Sequence, residues 1–386
     1  MTEEEIILHH GENEPEFINA FSPPVYQTSN FRFQTVDAMR HALQSEKEIS
    51  VYSRGNNPTV RLFEKKMASL EKTEDALAFS SGIAAITCSI LNSVKAGDHI
   101  IAIEEVYGWT KVFFDQYLPG FGITTSYFNG NDLSELNSII QANTKLIYLE
   151  SPSSWFFSIQ DLKSISEIAR SRNIRTICDN SFASPLGQNP SQFGIDLIVH
   201  SASKYLGGHS DLVGGVVCGP SEILSGLFKE EYMNLGAIMS PNTAWLLIRG
   251  LRTLSIRLNH LEKTRETISA FLLQHPKIEG IIHPFEPDHP NHELAKRQMR
   301  LGGGLVSVFL KTNDPAQIEK FCNSLKQFTL AVSWGGHESL VFPAVSLMVK
   351  QEHSGLPINM IRLYVGLDDP RDLINDLDNA LSLGFL

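Results

Sequence analysis

Short apolar runs alternate with amphipathic stretches through the middle of the chain. The runs at 99–104 (HIIAIE), 145–150 (KLIYLE), 175–180 (RTICDN) and 196–201 (DLIVHS) are rich in Ile, Leu and Val, the composition of strands buried on both faces. Between two of them, QDLKSISEIARSRN places Leu162, Ile165, Ile168 and Ala169 at helical spacing. VRLFEKKMASLEK does the same with Leu62, Phe63, Met67 and Leu70, and a further helix is predicted from near Ser81 through GIAAITCSILNSV. Strand and helix in alternation predict an α/β fold: a parallel sheet with helices on both sides. Such sheets bind ligands beyond the carboxyl ends of their strands. Those ends read Glu150-Ser-Pro, Asp179-Asn-Ser and His200-Ser-Ala-Ser-Lys204, so three strand ends deliver polar, reactive groups to one rim.

The pattern differs at the two ends of the chain. Residues 1–57 carry SPPVYQTSNF and YSRGNNPT, whose Pro and Asn break any long helix, and they read as an arm in which His9 and His10 are solvated. Residues 58–248 form the large domain. From 249 to 386 a long helical stretch, LRTLSIRLNHLEKTRETISAFLLQHP, leads into a strand in LGGGLVSVFLK. A helix in DPAQIEKFCNSLKQF, strands in LAVSW and MIRLYVGLD, and a helix in DPRDLINDLDNALS complete a smaller α+β domain.

Composition narrows the function classes. With 386 residues, 42% hydrophobic and 19% charged, the chain can bury a sizeable core. Its 32 Lys and Arg against 43 Asp and Glu give a net charge of −11, which repels a phosphate backbone and argues against nucleic-acid binding. No apolar run of about 18 residues marks a membrane span, and the acidic start MTEEEIILHHGENEPEF is unlike a secretory signal. Cys88, Cys178, Cys218 and Cys322 form no CxxC pair. That pattern excludes a disulfide scaffold, speaks against zinc and fits a reducing cytoplasm.

The stretch Ser201-Ala-Ser-Lys204-Tyr-Leu-Gly-Gly-His209-Ser-Asp211 is the most informative. A Lys just past a buried strand can be desolvated enough to act as a Schiff-base nucleophile. Ser201 and Ser203 beside it can donate to a phosphate. A lone Lys after a strand is usually a surface group, but Asp179 ends a neighbouring strand, where a carboxylate can keep a pyridinium nitrogen protonated. Ser80-Ser-Gly82-Ile83 opens a helix whose free N–H groups suit a phosphate. Taken singly, Asp179 reads equally well as a cap or salt-bridge partner, and Ser80-Ser-Gly82 as an ordinary helix start.

Together, SPPVYQTSNF, YSRGNNPT, LAFSSGIAAI, GDHII, DNSFASPL, HSASKYLGGHSDLVGG and RLYVGLDD resemble, in order and over nearly the whole chain, the pyridoxal-phosphate enzymes of transsulfuration. The resemblance implies the aspartate-aminotransferase-like fold (fold type I), usually as a homotetramer whose dimers share active sites. It implies that Lys204 binds pyridoxal 5'-phosphate covalently and moves protons, and that Asp179 partners the pyridine nitrogen. It places Gly82, Ile83, Ser201 and Ser203 at the cofactor phosphate, with Tyr52 and Arg54 reaching that phosphate from a neighbouring subunit. Tyr107 would stack on the cofactor ring, Ser154 would contact its phenolic oxygen, and Arg362 with Ser333 would bind the substrate α-carboxylate. Ser203 is usually Thr in the family, and Ser154 is Asn in many members, with a longer reach. Trp109 either narrows the substrate pocket or fills core, and His209 is expected to be structural.

The implied activity is cleavage of a carbon–sulfur bond in a sulfur amino acid. Ser-Pro-Ser-Ser154 and Ser333-Trp-Gly-Gly-His337 resemble the branch that cleaves cystathionine to homocysteine, pyruvate and ammonia, the cystathionine β-lyases. YSRGNNPT instead resembles the γ branch of synthases and lyases. A non-catalytic, cofactor-binding regulator on the same fold is a remoter alternative. A nucleotide-dependent enzyme is disfavoured by the absence of a Walker A loop and of G-x-G-x-x-G after the first strand.

Overall fold

The structure, a computed structural model, describes residues 1–12, 15–17, 19–347 and 355–384. The chain divides into two compact units: residues 1–153, 158–207 and 211–253 form the first, and 154–157, 208–210 and 254–386 the second. The helix Pro241–Leu251 therefore lies within the first unit, as do residues 1–57.

The first unit is built on a seven-stranded sheet of β1 (Asp75–Phe79), β2 (His99–Ile103), β3 (Thr124–Phe128), β4 (Thr144–Glu150), β5 (Arg175–Asp179), β6 (Leu197–Ser201) and β7 (Gly215–Gly219). Their order across the sheet is β1-β7-β6-β5-β4-β2-β3. The contiguous set from β6 to β3 is parallel, and β7 runs antiparallel between β6 and β1. The four apolar runs are β2, β4, β5 and β6, adjacent to one another at the centre of the sheet and buried along nearly their whole length. Leu162, Ile165 and Ala169 of the helix Leu162–Ser171 pack into the same core, with Ile168 against its margin.

Local chemistry explains where helices begin. Asn57 accepts the N–H of Thr59 at 3.1 Å, and Pro58 fills the first position of the helix Pro58–Glu71, where its missing N–H costs nothing. Leu62, Phe63, Met67 and Leu70 face the interior. The same helix buries Lys66, whose ammonium donates to the carbonyls of Ile6 (2.9 Å) and Ile7 (3.0 Å) and pairs with Glu12 at 3.0 Å. These carbonyls belong to the helix Glu3–His9, so a cation sits where that helix's dipole is negative. Glu12 also pairs with Arg252 at 3.0 Å. Among its described residues the arm holds two short α-helices, Glu3–His9 and Val36–Gln44, and no long one. His9 is exposed, but His10 is not simply solvated: its Nε2 lies 3.0 Å from Ser69 Oγ.

The second unit carries β8 (Ile278–Ile282), β9 (Leu305–Leu310), β10 (Thr329–Leu330), β11 (Leu340–Pro343) and β12 (Met360–Tyr364), in the order β10-β11-β12-β9-β8. Helices Leu254–Gln274, Pro315–Ser324 and Pro370–Gly384 supply Ile268, Leu272, Phe321, Leu373 and Leu377 to its core. The strand expected through LAVSW ends at Leu330; beyond it the chain turns outward, with Val332 and Ser333 exposed. No helix among the described residues is long and apolar enough to cross a membrane.

Candidate active site

In the first unit the parallel register sets Glu150, at the end of β4, directly beside Asp179, at the end of β5. Both carboxylates are buried. Burial pushes the Asp179 carboxyl upward, while hydrogen bonds from Ser181 and the nearby His200 and Lys204 act in the opposite sense. The Ser181 N–H reaches Asp179 Oδ1 at 2.9 Å, and Ser181 Oγ accepts the N–H of Ser201 at 2.7 Å. Ser181 therefore ties β5 to the end of β6. On the neighbouring positions, His200 Nε2 meets Glu71 Oε1 at 2.5 Å, and Asn180 donates to the same oxygen at 2.8 Å.

Past β6 the chain turns back on itself, with the Lys204 N–H on the Ser201 carbonyl at 3.1 Å. Lys204 is half-buried. The Ser203 hydroxyl accepts the Gly214 N–H at 3.0 Å and lies 3.3 Å from the Gly214 carbonyl, so it already has a backbone partner. The helix Gly82–Ser93 starts beside this turn. Ser81 caps it, its Oγ accepting the Ala84 N–H at 3.1 Å, which leaves the N–H groups of Gly82 and Ile83 outside the helical ladder. Gly82 is dictated by space: a Cβ there would lie 2.8 Å from both Cβ and Oγ of Ser201.

Tyr107 precedes the short helix Gly108–Val112, and its N–H is held by Glu150 Oε2 at 2.6 Å. Its ring is half-exposed, and burial, then Glu150 and Asp179, keep the phenol protonated above its ordinary range. Trp109 is 61% exposed and fills no core in this chain. Tyr52 and Arg54 lie on the surface of the arm, and Arg54 makes no hydrogen bond or ion pair among the described residues.

In the second unit Arg362 is 5% exposed on β12. Its guanidinium donates to the carbonyls of Ser154 (3.2 Å) and Val332 (2.8 Å). It lies 4.8 Å from the ring centre of Trp155 and 5.3 Å from that of Phe342. Two carbonyls and two aromatic faces hold a cation that burial alone would expel. Ser333 is exposed next to Val332. His337 is exposed and contacts Glu338 at 3.2 Å. His209 is half-buried.

The model of the Cys/Met metabolism PLP-dependent enzyme family matches residues 4–382. The chain belongs to this family. It is 35% identical to an L-methionine γ-lyase of Pseudomonas deceptionensis over 97% of this chain and 96% of that protein. It is 36% identical to a cystathionine β-lyase of Lactococcus lactis subsp. cremoris over 97% of each. The crystal structure of metB from Corynebacterium glutamicum superposes with a TM-score of 0.92 at 31% identity, over 99% of this chain and 98% of that one. The aspartate-aminotransferase-like fold is thereby shown, and the chain is a pyridoxal-phosphate-dependent enzyme of the transsulfuration type.

The residues present suit that cofactor. A buried carboxylate matches a protonated ring nitrogen, unengaged N–H groups at a helix start match a phosphate, and a half-buried Lys follows Ser201, against which that helix start packs. Sequence reasoning missed the supporting residues Ser181, Trp155 and Phe342, and the hold of Glu150 on Tyr107. Ser181 carried a readable signal, because an Asp two residues before a Ser commonly accepts its N–H in a tight turn.

Proposed function

We propose that the enzyme is a cystathionine β-lyase, releasing homocysteine, pyruvate and ammonia. One observation carries the choice of branch. The two carbonyls that fix Arg362 belong to Val332 and to Ser154, which closes the Ser-Pro-Ser-Ser run similar to the β-lyases. Val332 is apolar and 72% exposed, so it supplies no carboxylate beside Ser333. γ-Elimination must carry an additional proton to and from the β-carbon, and so needs room and a base that β-elimination does not.

Pyridoxal phosphate, when bound, supplies an electron sink for charge developing at the substrate α-carbon. Gly82 and Ile83 offer N–H groups to its phosphate, with Ser201 and Ser203, and Asp179 holds the proton on its ring nitrogen. Tyr52 and Arg54 reach the phosphate of a neighbouring subunit in a homotetramer, Arg54 through its planar fork. Tyr107 would cover the ring, and Ser154 would contact its phenolic oxygen. Arg362, with Ser333, binds the α-carboxylate of a sulfur amino acid. Lys204 Nζ takes the α-proton, and Lys204 or the protonated Tyr107 hydroxyl delivers a proton to the departing sulfur.

The test is the keto acid formed when the purified, cofactor-loaded protein meets cystathionine. Chromatography should show pyruvate well above 2-oxobutyrate. A pool dominated by 2-oxobutyrate places the enzyme in the γ branch. That second reading, a methionine-type γ-lyase, is favoured by the YSRGNNPT arm and by the 35% identity to the Pseudomonas enzyme.

A further inference from the structure

We propose that Glu150 is the residue that positions Tyr107, gripping its main chain so that the ring is presented to the cofactor. The proposal rests on the reading that Tyr107 covers the cofactor ring.

The ring itself is 46% exposed, so packing does not fix it. What is fixed is its backbone. The Tyr107 N–H meets Glu150 Oε2 at 2.6 Å, a short bond to a buried carboxylate. The Tyr107 side chain makes no capping bond at the start of the helix Gly108–Val112. Glu150 is in turn rigid, because it ends a strand buried at the centre of the sheet. Its register partner across β4 and β5 is Asp179, one strand spacing away, about 4.8 Å. The residue gripping Tyr107 and the residue proposed for the ring nitrogen therefore stand side by side on two strands that share a ladder of hydrogen bonds. That arrangement references the face and the edge of the cofactor ring to one rigid edge of the sheet, although Tyr107 is on a loop. A Gln would retain an acceptor for the same N–H; an Ala would leave it without one, and an Asp is shorter by one methylene.

The experiment uses the full chain loaded with pyridoxal phosphate and reads cofactor dissociation and the visible circular dichroism of the bound cofactor. Glu150→Ala should weaken cofactor retention about 10- to 100-fold, as expected for losing one hydrogen bond to a charged group, and should diminish the visible dichroism while far-ultraviolet dichroism stays native. Glu150→Gln should restore both. In a Tyr107→Ala background, Glu150→Ala should add no further loss, because the coupling runs through the ring. If Glu150→Ala does not fold, Glu150→Asp replaces it and should give a partial loss of visible dichroism. Unchanged retention and dichroism in Glu150→Ala, or in Glu150→Asp where it is used, overturn the proposal if Tyr107→Ala alters both. Equal losses with and without Tyr107 overturn it as well. Should Tyr107→Ala alter neither quantity, the stacking role falls, and the proposal with it.

Discussion

Replacing Gly82 with Ala should damage the cofactor site out of proportion to the one methyl added. The new Cβ would stand 2.8 Å from Ser201 Cβ and Oγ and 3.0 Å from Ser201 Cα, whereas carbon atoms rest at about 3.5–4.0 Å. The start of the helix Gly82–Ser93 would have to retreat by about 0.5–1 Å to restore ordinary contact. Gly215 of β7, the register partner of Ser201 on β6, packs as closely: a Cβ on it would come within 2.2 Å of the Ser81 carbonyl oxygen and 2.9 Å of Gly82 Cα. Overpacking of this kind costs about 1–3 kcal/mol. Shifting the Gly82 and Ile83 N–H groups off an anion costs a further 1.5–3 kcal/mol or so per bond in cofactor affinity. Titrating the apo-protein with pyridoxal phosphate, followed by absorbance, should show affinity at least tenfold weaker, together with a lowered Tm of the apo-protein. Gly226→Ala is the control: it lies inside the helix Ser221–Leu227 with only Asn92 Nδ2 near, at 3.9 Å, and should stabilise by about 0.5–1 kcal/mol. Wild-type affinity and Tm in Gly82→Ala would refute the close packing of Gly82 on Ser201.

Three further outcomes are expected. Borohydride reduction of the holoenzyme should fix the cofactor on Lys204 alone, and Lys204→Ala should lose both labelling and turnover; a label mapped to another Lys would falsify the assignment. Arg54→Ala should weaken cofactor binding while the monomer fold stays intact, since the side chain has no partner within its own chain among the described residues; an unaltered dissociation constant would contradict a role at a neighbour's phosphate. Burial raises Glu64 to about 7 from an ordinary 4.5 despite the guanidinium of Arg61 at 3.1 Å. Between those values the folded state holds a proton that the unfolded state has lost. Glu64 therefore contributes most below about pH 4.5, and that contribution, on the order of 3 kcal/mol, is lost as pH rises to about 7. Unfolding by urea from pH 4.5 to 8 should show this slope, and Glu64→Gln, which keeps an acceptor for the Ala78 N–H now bonded at 2.8 Å, should flatten it. An identical slope in the variant would assign it to other groups.

What could be read in the sequence follows from burial. β2, β4, β5 and β6 lie within the parallel part of the sheet and are hydrophobic on both faces, so their runs stand out. β3, TTSYF, is a half-exposed edge pairing only with β2; β7 is bounded by glycines; β1 is short and rich in Ala. None of the three makes a long apolar run. In LAVSW the strand stops at Leu330, and past it the Val332 carbonyl accepts from the Arg362 guanidinium, a demand invisible in local propensity. Lys204 and Asp179 could be proposed from the sequence because strand ends in such folds face ligands. The grip of Glu150 on Tyr107 spans 43 residues, and nothing in either segment announces it.

The setting of Arg362 bears on how such enzymes can be re-engineered. Its guanidinium is held by Ser154, 208 residues earlier in the chain, by Trp155 beside it, and by Val332 and Phe342. A Lys in its place has a single ammonium that cannot satisfy both carbonyls while lying flat on two rings. Equally, replacing Trp155 strips one aromatic cover from a buried cation. The loop and the strand form one heritable module: a library that varies one side alone samples mostly broken clamps, and exchanges of activity between relatives should succeed when 154–155 and 332–342 travel together.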